Sequence, residues 1–438
     1  MRIIEEIRNG MEQGRVLADK ARALNLSYLE NHFFDMTDNQ PEPNNLVRGD
    51  NLGYMSWLLD KGYAGKIKMI YIDPPFFTKA KYNASISLED ADGRKHNFHH
   101  LAYDDTFERS LEFYICNVTA RLILMKELLA EDGTIWVHLD WHSSHYVKII
   151  LDELLGEKNF INEIIWSYKS GGSSDKHFSK KHDTILVYSK SSQYYLNVSK
   201  EKSYNRDLKP YKFKGVEEYR DDYGWYTMVN MKDVWTIDMV GRTSKERTGY
   251  ATQKPLELVE RIVCAATQEG DLCADFFCGS GSMLEAAERS GRRWLGCDVE
   301  ELALGMCKRR LDMCKANYVF MAESAEDSLR HGRLDMKLLS KESLEGGKYM
   351  YTYRIDAFKP DIDIGHIPLK ERQDIELISR KNPETFIDYI MIDFDYNGTF
   401  DTKQVINEGL DKITVVSGGK IAFIAVDVFG REYYGEER

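Results

Sequence analysis

The sequence predicts an α/β protein built on a mostly parallel sheet, and two stretches of the chain carry this prediction. Lys66–Ile72 reads as a buried strand, a helical pattern of apolar residues follows it, and Thr134–Leu139 is again an apolar strand. The same succession of strand and helix returns between Leu256 and Leu311. Strand–helix–strand units are typical of parallel sheets covered by helices. We therefore expect a mixed, mostly parallel, Rossmann-like core made in two halves.

The order of these patterns divides the chain into five expected segments. The N-terminal segment is expected to form one or two helices, broken by Gly10 and Gly14. Polar and aromatic residues with weak periodicity separate the two halves of the core, and they indicate an insert. The expected segments are an N-terminal helical segment (1–44), the first half of the core (45–190), the insert (191–250), the second half of the core (251–336) and a C-terminal α+β appendage (337–438).

Composition indicates a globular chain. Of the 438 residues, 43% are hydrophobic and 30% are charged, and no apolar run approaches the length of a membrane span. The N-terminus lacks the apolar centre of a signal peptide, so we expect a cytoplasmic protein without a membrane partner. The 7 cysteines are never spaced as C-x-x-C, which argues against a disulfide framework and against a structural zinc site.

A glycine-rich turn indicates a cofactor site. Asp275–Gly281 (DFFCGSG) ends the apolar strand Leu272–Phe276 and begins a helix, and glycine there permits a sharp turn and close approach of a ligand to the backbone. Asp298 ends the next short strand, where a carboxylate can accept hydrogen bonds from ribose hydroxyls. A purely structural turn is the alternative. Because the loop lacks a third glycine and a Walker lysine, S-adenosylmethionine fits better than a pyrophosphate or triphosphate.

A second motif, Asp73–Phe76 (DPPF), follows the buried strand that begins near Lys66. An exocyclic amine is a poor nucleophile because its lone pair is delocalised into the ring. Two acceptors that bind both amino hydrogens favour a pyramidal nitrogen, and Asp73 and the carbonyl of Pro74 can supply them. The prolines Pro74 and Pro75 stiffen the loop, and Phe76 offers a face to a base that has left the duplex. A turn that merely ends a strand is the alternative.

The order of these motifs resembles the β-class of DNA amino-methyltransferases. Asp73–Phe76 is followed later in the chain by Gln253–Pro255 (QKP) and then by D-x-F-C-G-S-G, and Lys66–Leu311 most resembles modification subunits of type III restriction systems. The resemblance implies a circularly permuted S-adenosylmethionine-dependent methyltransferase fold with a target recognition region between the motifs. It also implies methylation of N6 of an adenine flipped out of duplex DNA, within a restriction-modification or related defence system.

The resemblance also implies roles for individual positions. Asp73, Pro74, Pro75 and Phe76 would form the catalytic motif that holds the target base, with Phe76 in place of the family's usual Tyr. The residues expected at the cofactor are Asp275, Phe277, Gly279 and Gly281 at the methionine end, Asp298 at the ribose, Lys254 and Gln253 at the helix start beside it, and Asp50 near the adenine.

Charge is distributed unevenly along the chain. The net charge of -12 argues at first against a nucleic-acid partner, because phosphate contacts need Lys and Arg. Between Lys169 and Lys214, however, eleven Lys or Arg stand against four Asp or Glu, with aromatic residues interleaved. This pattern favours duplex DNA as partner over a merely solvated surface. The residues expected to contact DNA are Lys169, Lys176, Lys180, Lys181 and Arg206.

Three questions stay open at this stage. Cytosine-N4 methylation uses the same chemistry, although its family usually has Ser in place of Asp73. A non-catalytic subunit that reads DNA is the other alternative, and the intact Asp73, Gly279 and Gly281 argue against it. A homodimer and a restriction or other defence subunit also stay open as partners. No metal site is expected, because no Cys or Glu completes the histidines His96, His99, His100, His138, His142 and His145.

Overall fold

The computed structural model describes residues 2–24, 28–30, 44–89, 93–104, 110–169, 174–241, 243–250, 252–322, 333–362, 369–398 and 400–437. The helices in these ranges are α1 (Arg2–Arg22), α2 (Asn51–Asp60), α3 (Leu111–Leu128), α4 (Ser144–Leu155), α5 (Leu256–Ala266), α6 (Ser282–Arg289), α7 (Glu301–Met313) and α8 (Leu369–Lys381). The strands are β1 (Leu29–Glu30), β2 (Asn44–Arg48), β3 (Ile67–Ile72), β4 (Lys81–Glu89), β5 (Lys95–Asp104), β6 (Leu129–Leu139), β7 (Phe160–Ser167), β8 (His182–Ser189), β9 (Lys200–Tyr204), β10 (Tyr219–Arg220), β11 (Trp225–Asn230), β12 (Val234–Thr236), β13 (Leu272–Asp275), β14 (Arg293–Asp298), β15 (Tyr318–Ala322), β16 (Arg333–Ser343), β17 (Tyr349–Lys359), β18 (Ile387–Tyr396), β19 (Gln404–Ile406), β20 (Ile413–Ser417), β21 (Lys420–Asp427) and β22 (Glu432–Glu437).

A ten-stranded sheet forms the centre of the molecule. Its strand order is β1-β15-β2-β14-β13-β3-β6-β8-β7-β12. The ladder from β15 to β6 is parallel throughout, whereas β8 pairs antiparallel with both β6 and β7. The predicted α/β class with a mixed, mostly parallel sheet is therefore confirmed.

Alternate side chains of the central strands pack against helices on opposite faces of the sheet. Along β3, Ile70 and Ile72 enter the core that contains buried residues of α2, α3 and α4. Met69 and Tyr71 enter the core that contains buried residues of α5, α6 and α7. Burial on both faces explains why this strand reads as an apolar run in the sequence.

The N-terminal segment contains one continuous helix, α1, which Gly10 and Gly14 do not break. A Cβ atom on Gly10 would lie 2.6 Å from the carbonyl oxygen of Glu112, and one on Gly14 would lie 2.7 Å from that of Cys116. Both glycines thus let α1 pack closely against α3. Glycine lowers helix propensity, but here this contact outweighs that cost.

Between β8 and α5 the chain forms a small antiparallel sheet in the order β10-β11-β9. It lies inside the predicted insert, 191–250. The insert as predicted also contains β12, which pairs in parallel with β7 at the edge of the main sheet. The aromatic residues of the small sheet do not form a buried core, since Tyr204 and Tyr219 remain about 40% exposed (41% and 38%).

A seven-stranded sheet, in the order β19-β18-β21-β22-β16-β17-β20, forms the C-terminal part of the chain. It begins at Arg333, a few residues before the predicted boundary of the appendage. Its core includes Leu302, Ala303 and Met306 of α7 and residues of the β4–β5 hairpin. The appendage therefore packs against elements of both halves of the core.

Among the described residues, no helix combines the length and the apolar composition that a bilayer span requires.

Candidate active site

The predicted catalytic motif follows β3 at the carboxyl end of the parallel strands. Lys254 Nζ forms an ion pair with Oδ2 of Asp73. The other oxygen, Oδ1, is buried and accepts no hydrogen bond from any described residue. A buried acceptor without a donor costs about 1–3 kcal/mol. The arrangement is therefore suited to a ligand that donates a hydrogen bond to this oxygen.

Lys254 joins two parts of the motif. It lies just before α5 and is itself buried. Its ammonium contacts the carboxylate of Asp73 and also lies 5.7 Å from the centre of the Phe76 ring. A cation over an aromatic face is attracted by the ring quadrupole. Lys254 thus fixes the carboxylate and the aromatic ring relative to each other.

A buried histidine supports Phe76 from beneath. The rings of Phe76 and His138 are stacked, with centroids 6.1 Å apart and planes inclined by 18°. His138 Nδ1 lies 3.0 Å from the hydroxyl of Tyr71, and Nε2 lies 3.1 Å from Oδ2 of Asp183. The hydroxyl of Tyr168 donates to Oδ1 of Asp183 over 3.0 Å. Both ring nitrogens of His138 are engaged, so its orientation is fixed.

The charge of Asp183 follows from these contacts. Burial alone would raise the pKa of its carboxyl. The opposing effect is larger, and it comes from the hydrogen bond and charge of His138, the charge of Lys254 and the hydrogen bond from Tyr168. The net effect is a pKa below the ordinary value of 3.8. Asp183 is therefore ionised at neutral pH.

The glycine turn connects β13 to α6 through two left-handed residues, Gly279 (φ 49°) and Gly281 (φ 77°). A Cβ atom on Gly281 would lie 2.4 Å from Sγ of Cys307 in α7. Among the described residues, only Tyr250 would lie within 4 Å of a Cβ atom on Gly279, at a distance of 3.5 Å. Gly281 therefore lets two helices pack, whereas Gly279 leaves the backbone open to a ligand.

Asp298 ties the end of β14 to this turn. Its Oδ2 accepts a hydrogen bond from the backbone N–H of Gly279 over 2.8 Å, and its Oδ1 accepts one from Glu300 over 3.1 Å. The carboxylate can still accept a further hydrogen bond. The predicted ribose position thus lies directly beside the predicted methionine position.

Several carboxylates gather at this edge. Burial raises the pKa of Asp275 well above its ordinary value, and the charges of Asp73 and Asp298 raise it further, against the hydrogen bond from Phe277 N–H and the charge of Lys254. Burial also raises the pKa of Asp298. A cationic ligand would relieve this repulsion. S-adenosylmethionine fits that requirement, since it carries a sulfonium and an ammonium group and needs no phosphate site.

Asp50 and Gln253, both predicted to lie at the cofactor, also make hydrogen bonds within the protein. Asp50 caps α2, because its Oδ1 accepts from Leu52 N–H over 3.0 Å and from Arg121 over 3.0 Å. The next residue, Asn51, donates to the carbonyl of Phe276 over 2.7 Å, which places the start of α2 at the glycine turn. The amide of Gln253 closes the loop before α5 by bonding to Glu246 and Thr248.

The predicted DNA contacts fall into two places. Lys169, Lys176, Lys180 and Lys181 lie on the loop between β7 and β8, whereas Arg206 lies beyond β9 in the small sheet. Lys169 pairs with Asp238 at 3.7 Å, and the ammonium of Lys180 lies 3.4 Å from the centre of the Trp141 ring. Within the described part of the chain, no group of three or more His, Cys, Asp or Glu is arranged to hold a metal.

Comparison with known proteins decides the family. A family profile described as DNA methylase matches residues 67–308, which is more than half of the chain. The chain belongs to the DNA methylase family. The methylase is 31% identical over 272 residues to the type II methyltransferase M2.DpnII of Streptococcus pneumoniae, covering 61% of this chain and 89% of that protein. It is 28% identical over 334 residues to M.EcaI of Enterobacter cloacae, covering 63% and 70%.

Type III subunits are also among the relatives of the methylase. It is 30% identical over 206 residues to the EcoP15I Mod subunit of Escherichia coli, covering 43% of this chain and 31% of that protein. Among solved structures, the cytosine-N4-specific PvuII DNA methyltransferase superposes with a TM-score of 0.40 and 16% identity, over 63% of this chain and 89% of that one. The family assignment rests on the sequence matches.

The family assignment confirms the predicted recognition, the methyltransferase activity on DNA and S-adenosylmethionine as methyl donor. The roles of single residues stay predictions. Sequence reasoning missed His138 and Asp183 as supports of Phe76, and it considered His138 only as a metal ligand. The signal that was available is the placement of His138 in an apolar strand, where a buried histidine needs polar partners.

Proposed function

We propose that this methylase transfers a methyl group from S-adenosylmethionine to the N6 amine of an adenine flipped out of duplex DNA. The observation that carries the proposal is the buried, unsatisfied Oδ1 of Asp73, at the same sheet edge as the glycine turn. Lys254 links this carboxylate to the ring of Phe76. An amino group that enters this space would donate to Oδ1 of Asp73, and its ring would stack on Phe76.

The reaction needs positioning more than acid–base chemistry. The bound cofactor supplies an electrophilic methyl carbon with a good leaving group. Asp73 and the carbonyl of Pro74 accept the two amino hydrogens of adenine, which directs the N6 lone pair at that carbon. A nitrogen–carbon bond forms as the carbon–sulfur bond breaks, and the surplus amino proton passes by way of Asp73 to water. Phe76 holds the base by stacking, worth about 1–3 kcal/mol.

His138 and Asp183 act as positioning residues in this proposal. They touch neither base nor cofactor, but they hold Phe76 through the stacked ring and the two hydrogen bonds of His138. Lys254 pairs with the carboxylate of Asp73 and aims it at the base. Preorganisation of this kind reduces the entropy lost on reaching the transition state.

The cofactor would occupy the turn after β13. Asp275, Phe277, Gly279 and Gly281 line its methionine end and Asp298 its ribose, while Asp50 lies toward its adenine. Lys254 and Gln253 hold the loop before α5 in place. The open backbone at Gly279 and the gathered carboxylates support this arrangement.

Adenine is favoured over cytosine by the acceptor itself. Asp73 is a carboxylate with a lysine partner, whereas cytosine-N4 enzymes usually carry Ser at this position. The sequence relatives include Mod subunits, which supports a role as the modification component of a restriction-modification or related defence system. The segment boundaries given above, with a target recognition region between the motifs, belong to the same proposal.

Partners and location follow from that role. Duplex DNA is the substrate, and the lysines of the β7–β8 loop, with Arg206, contact its phosphates. A homodimer in the cytoplasm, together with a restriction subunit, is the expected assembly. Light scattering of the purified methylase tests the dimer, and a monomer that still methylates would overturn it.

Expression in a host that lacks DNA methylation tests the base. Nucleosides from the host genome are expected to contain N6-methyladenosine with the wild type and none with Asp73→Ala. N4-methylcytosine would support the cytosine alternative. If the host DNA carries no methyl groups although the expressed protein binds S-adenosylmethionine, the result would support a non-catalytic subunit that only reads DNA.

A further inference from the structure

Phe178 is an aromatic residue that lies on the surface and does not pack into any core that the described residues form. Its side chain is 98% exposed, the highest value among the large hydrophobic residues described. It lies in the loop between β7 and β8, in the sequence Lys176-His177-Phe178-Ser179-Lys180-Lys181. An aromatic ring in water forgoes the free energy that burial would give it. Its basic neighbours make an anionic polymer the matching partner.

Strand pairing places this loop at the edge of the sheet that carries the base pocket. β6 runs parallel to β3, so its carboxyl end lies at the same edge as Asp73. β8 runs antiparallel to β6, with Leu139 opposite Thr184, and therefore begins at that edge. Ser167 opposite His182 closes the loop between β7 and β8. The loop thus projects from the edge at which the target base would be held.

Three contacts hold the loop there. The backbone N–H of Tyr168 donates to the carbonyl of Lys181 over 3.0 Å. The ammonium of Lys180 rests on the ring of Trp141, just after β6. Asp183, at the start of β8, bonds to the histidine beneath Phe76. These contacts fix the base of the loop at this edge, and the loop carries Phe178.

We infer that Phe178 is an aromatic wedge that enters the duplex and fills the space left by the flipped base. The inference rests on the function proposed above. Apolar side chains such as Phe are used by DNA-binding proteins to separate neighbouring bases. Phe178 would stack on the base pairs beside the gap while Phe76 stacks on the base outside it, and the loop lysines would contact the flanking phosphates.

The test compares a paired target base with an unpaired one. The substrates are a duplex that carries the enzyme's own site, mapped beforehand on methylated genomic DNA, and the same duplex with an abasic residue opposite the target adenine. Flipping costs less free energy when the base is unpaired. Phe178→Ala is expected to lower kcat/KM on the paired duplex by about 10- to 100-fold, and by less than about 3-fold on the unpaired one.

Two variants serve as controls. Phe178→Tyr keeps an aromatic ring and is expected to retain wild-type activity within about 3-fold. Lys176→Ala removes a phosphate contact, so it should weaken the binding of both substrates equally. A 2-aminopurine base at the target position gives a direct readout of flipping: its fluorescence should rise on binding to the wild type and stay low with Phe178→Ala.

Other outcomes overturn the inference. Equal activity of Phe178→Ala and wild type on the paired duplex, or equal losses on both substrates, would exclude a wedge. A change in oligomeric state on light scattering would assign Phe178 to a protein interface instead. If the wild type methylates no DNA at all, the proposed function fails, and that result is distinct from a failure of the wedge alone.

Discussion

At the scale of single residues, the two glycines of the cofactor turn differ in what surrounds them. Gly281 has Cys307 of α7 directly against the position of a Cβ atom, whereas Gly279 has open space there apart from Tyr250. Both adopt positive φ values, which cost a non-glycine residue about 1–2 kcal/mol. The second glycine therefore serves packing, and the first serves access of the ligand to the backbone.

Replacement of these glycines separates the two roles. Gly281→Ala should lower the free energy of unfolding by about 2–4 kcal/mol, because steric overlap adds to backbone strain. Gly279→Ala should cost about 1–2 kcal/mol of stability but weaken cofactor binding. Urea unfolding and calorimetric titration with S-adenosylmethionine measure both quantities. Equal loss of stability in the two variants would contradict the assignment.

His138 should affect turnover without affecting cofactor binding. His138→Ala removes the support of Phe76, and we expect kcat to fall about 10- to 100-fold because misplacement by about 1 Å can cost that much. The dissociation constant for S-adenosylmethionine should stay within about 3-fold. His138→Gln, which can still bond to Asp183, should recover part of kcat. A fall in cofactor affinity equal to the fall in kcat would indicate general damage to the fold.

The catalytic and cofactor motifs could be predicted from the sequence, because each is a short segment whose residue types carry the chemistry. The His138–Asp183 pair could not, since its members lie on different strands and meet only through the register of β6 and β8. Periodicity predicts that a strand exists, but it does not give the partner of a particular residue.

At the scale of elements, α7 links the cofactor side of the core to the C-terminal sheet. Asp312 at its end accepts hydrogen bonds from Tyr318 over 2.8 Å and from Tyr389 of β18 over 2.5 Å. Burial raises the pKa of Asp312 to about 6, against those hydrogen bonds and the charge of Lys308. Since the ordinary value is 3.8, this carboxyl favours the folded state most at low pH.

This shift predicts a pH dependence of stability. The contribution of Asp312 is fully present below about pH 3.8 and is lost as the pH rises through about 6. The unfolding free energy of the wild type, relative to Asp312→Asn, should therefore fall by about 2 kcal/mol between pH 4 and pH 7. Asp356→Asn, at an exposed carboxylate of β17, is the matched control. A difference that does not change with pH would contradict the account.

Most core elements could be predicted from periodicity. The helix predicted after the glycine turn is α6 (Ser282–Arg289), and the predicted strand Thr134–Leu139 is the second part of β6. The expectation that glycines break α1 was wrong, because the contact of Gly10 and Gly14 with α3 is made between segments far apart in sequence. The helix propensities of individual residues do not predict such a contact.

At the scale of the whole molecule, the net charge is -12, so contacts with DNA phosphates must come from a local cluster of positively charged residues. The lysines of the β7–β8 loop lie at the edge that carries the base pocket. Replacing Lys176 by Ala should therefore reduce the slope of log affinity against log salt by about 1, uniformly across sequences. Lys348→Ala removes an equal charge from the appendage and should leave the slope unchanged. Equal effects of both variants, measured by fluorescence anisotropy, would contradict a localised contact.

The docking of the C-terminal sheet onto α7 and the β4–β5 hairpin lay beyond sequence reasoning. It depends on long-range packing of Leu302, Ala303 and Met306 with residues about 30 to 130 positions away, which no local pattern encodes. Composition indicated a compact α+β unit but not the surface that it covers.

The central claim is that Asp73 directs an exocyclic amine of DNA at the methyl group of S-adenosylmethionine. The most direct test is transfer of labelled methyl from that donor to unmethylated DNA by wild type, Asp73→Ala and Asp73→Asn, with cofactor affinity measured in parallel. We expect label in N6-methyladenosine with the wild type, a loss of at least about 1000-fold in both variants and a much smaller change in the cofactor dissociation constant. Undiminished transfer by Asp73→Ala would contradict the account.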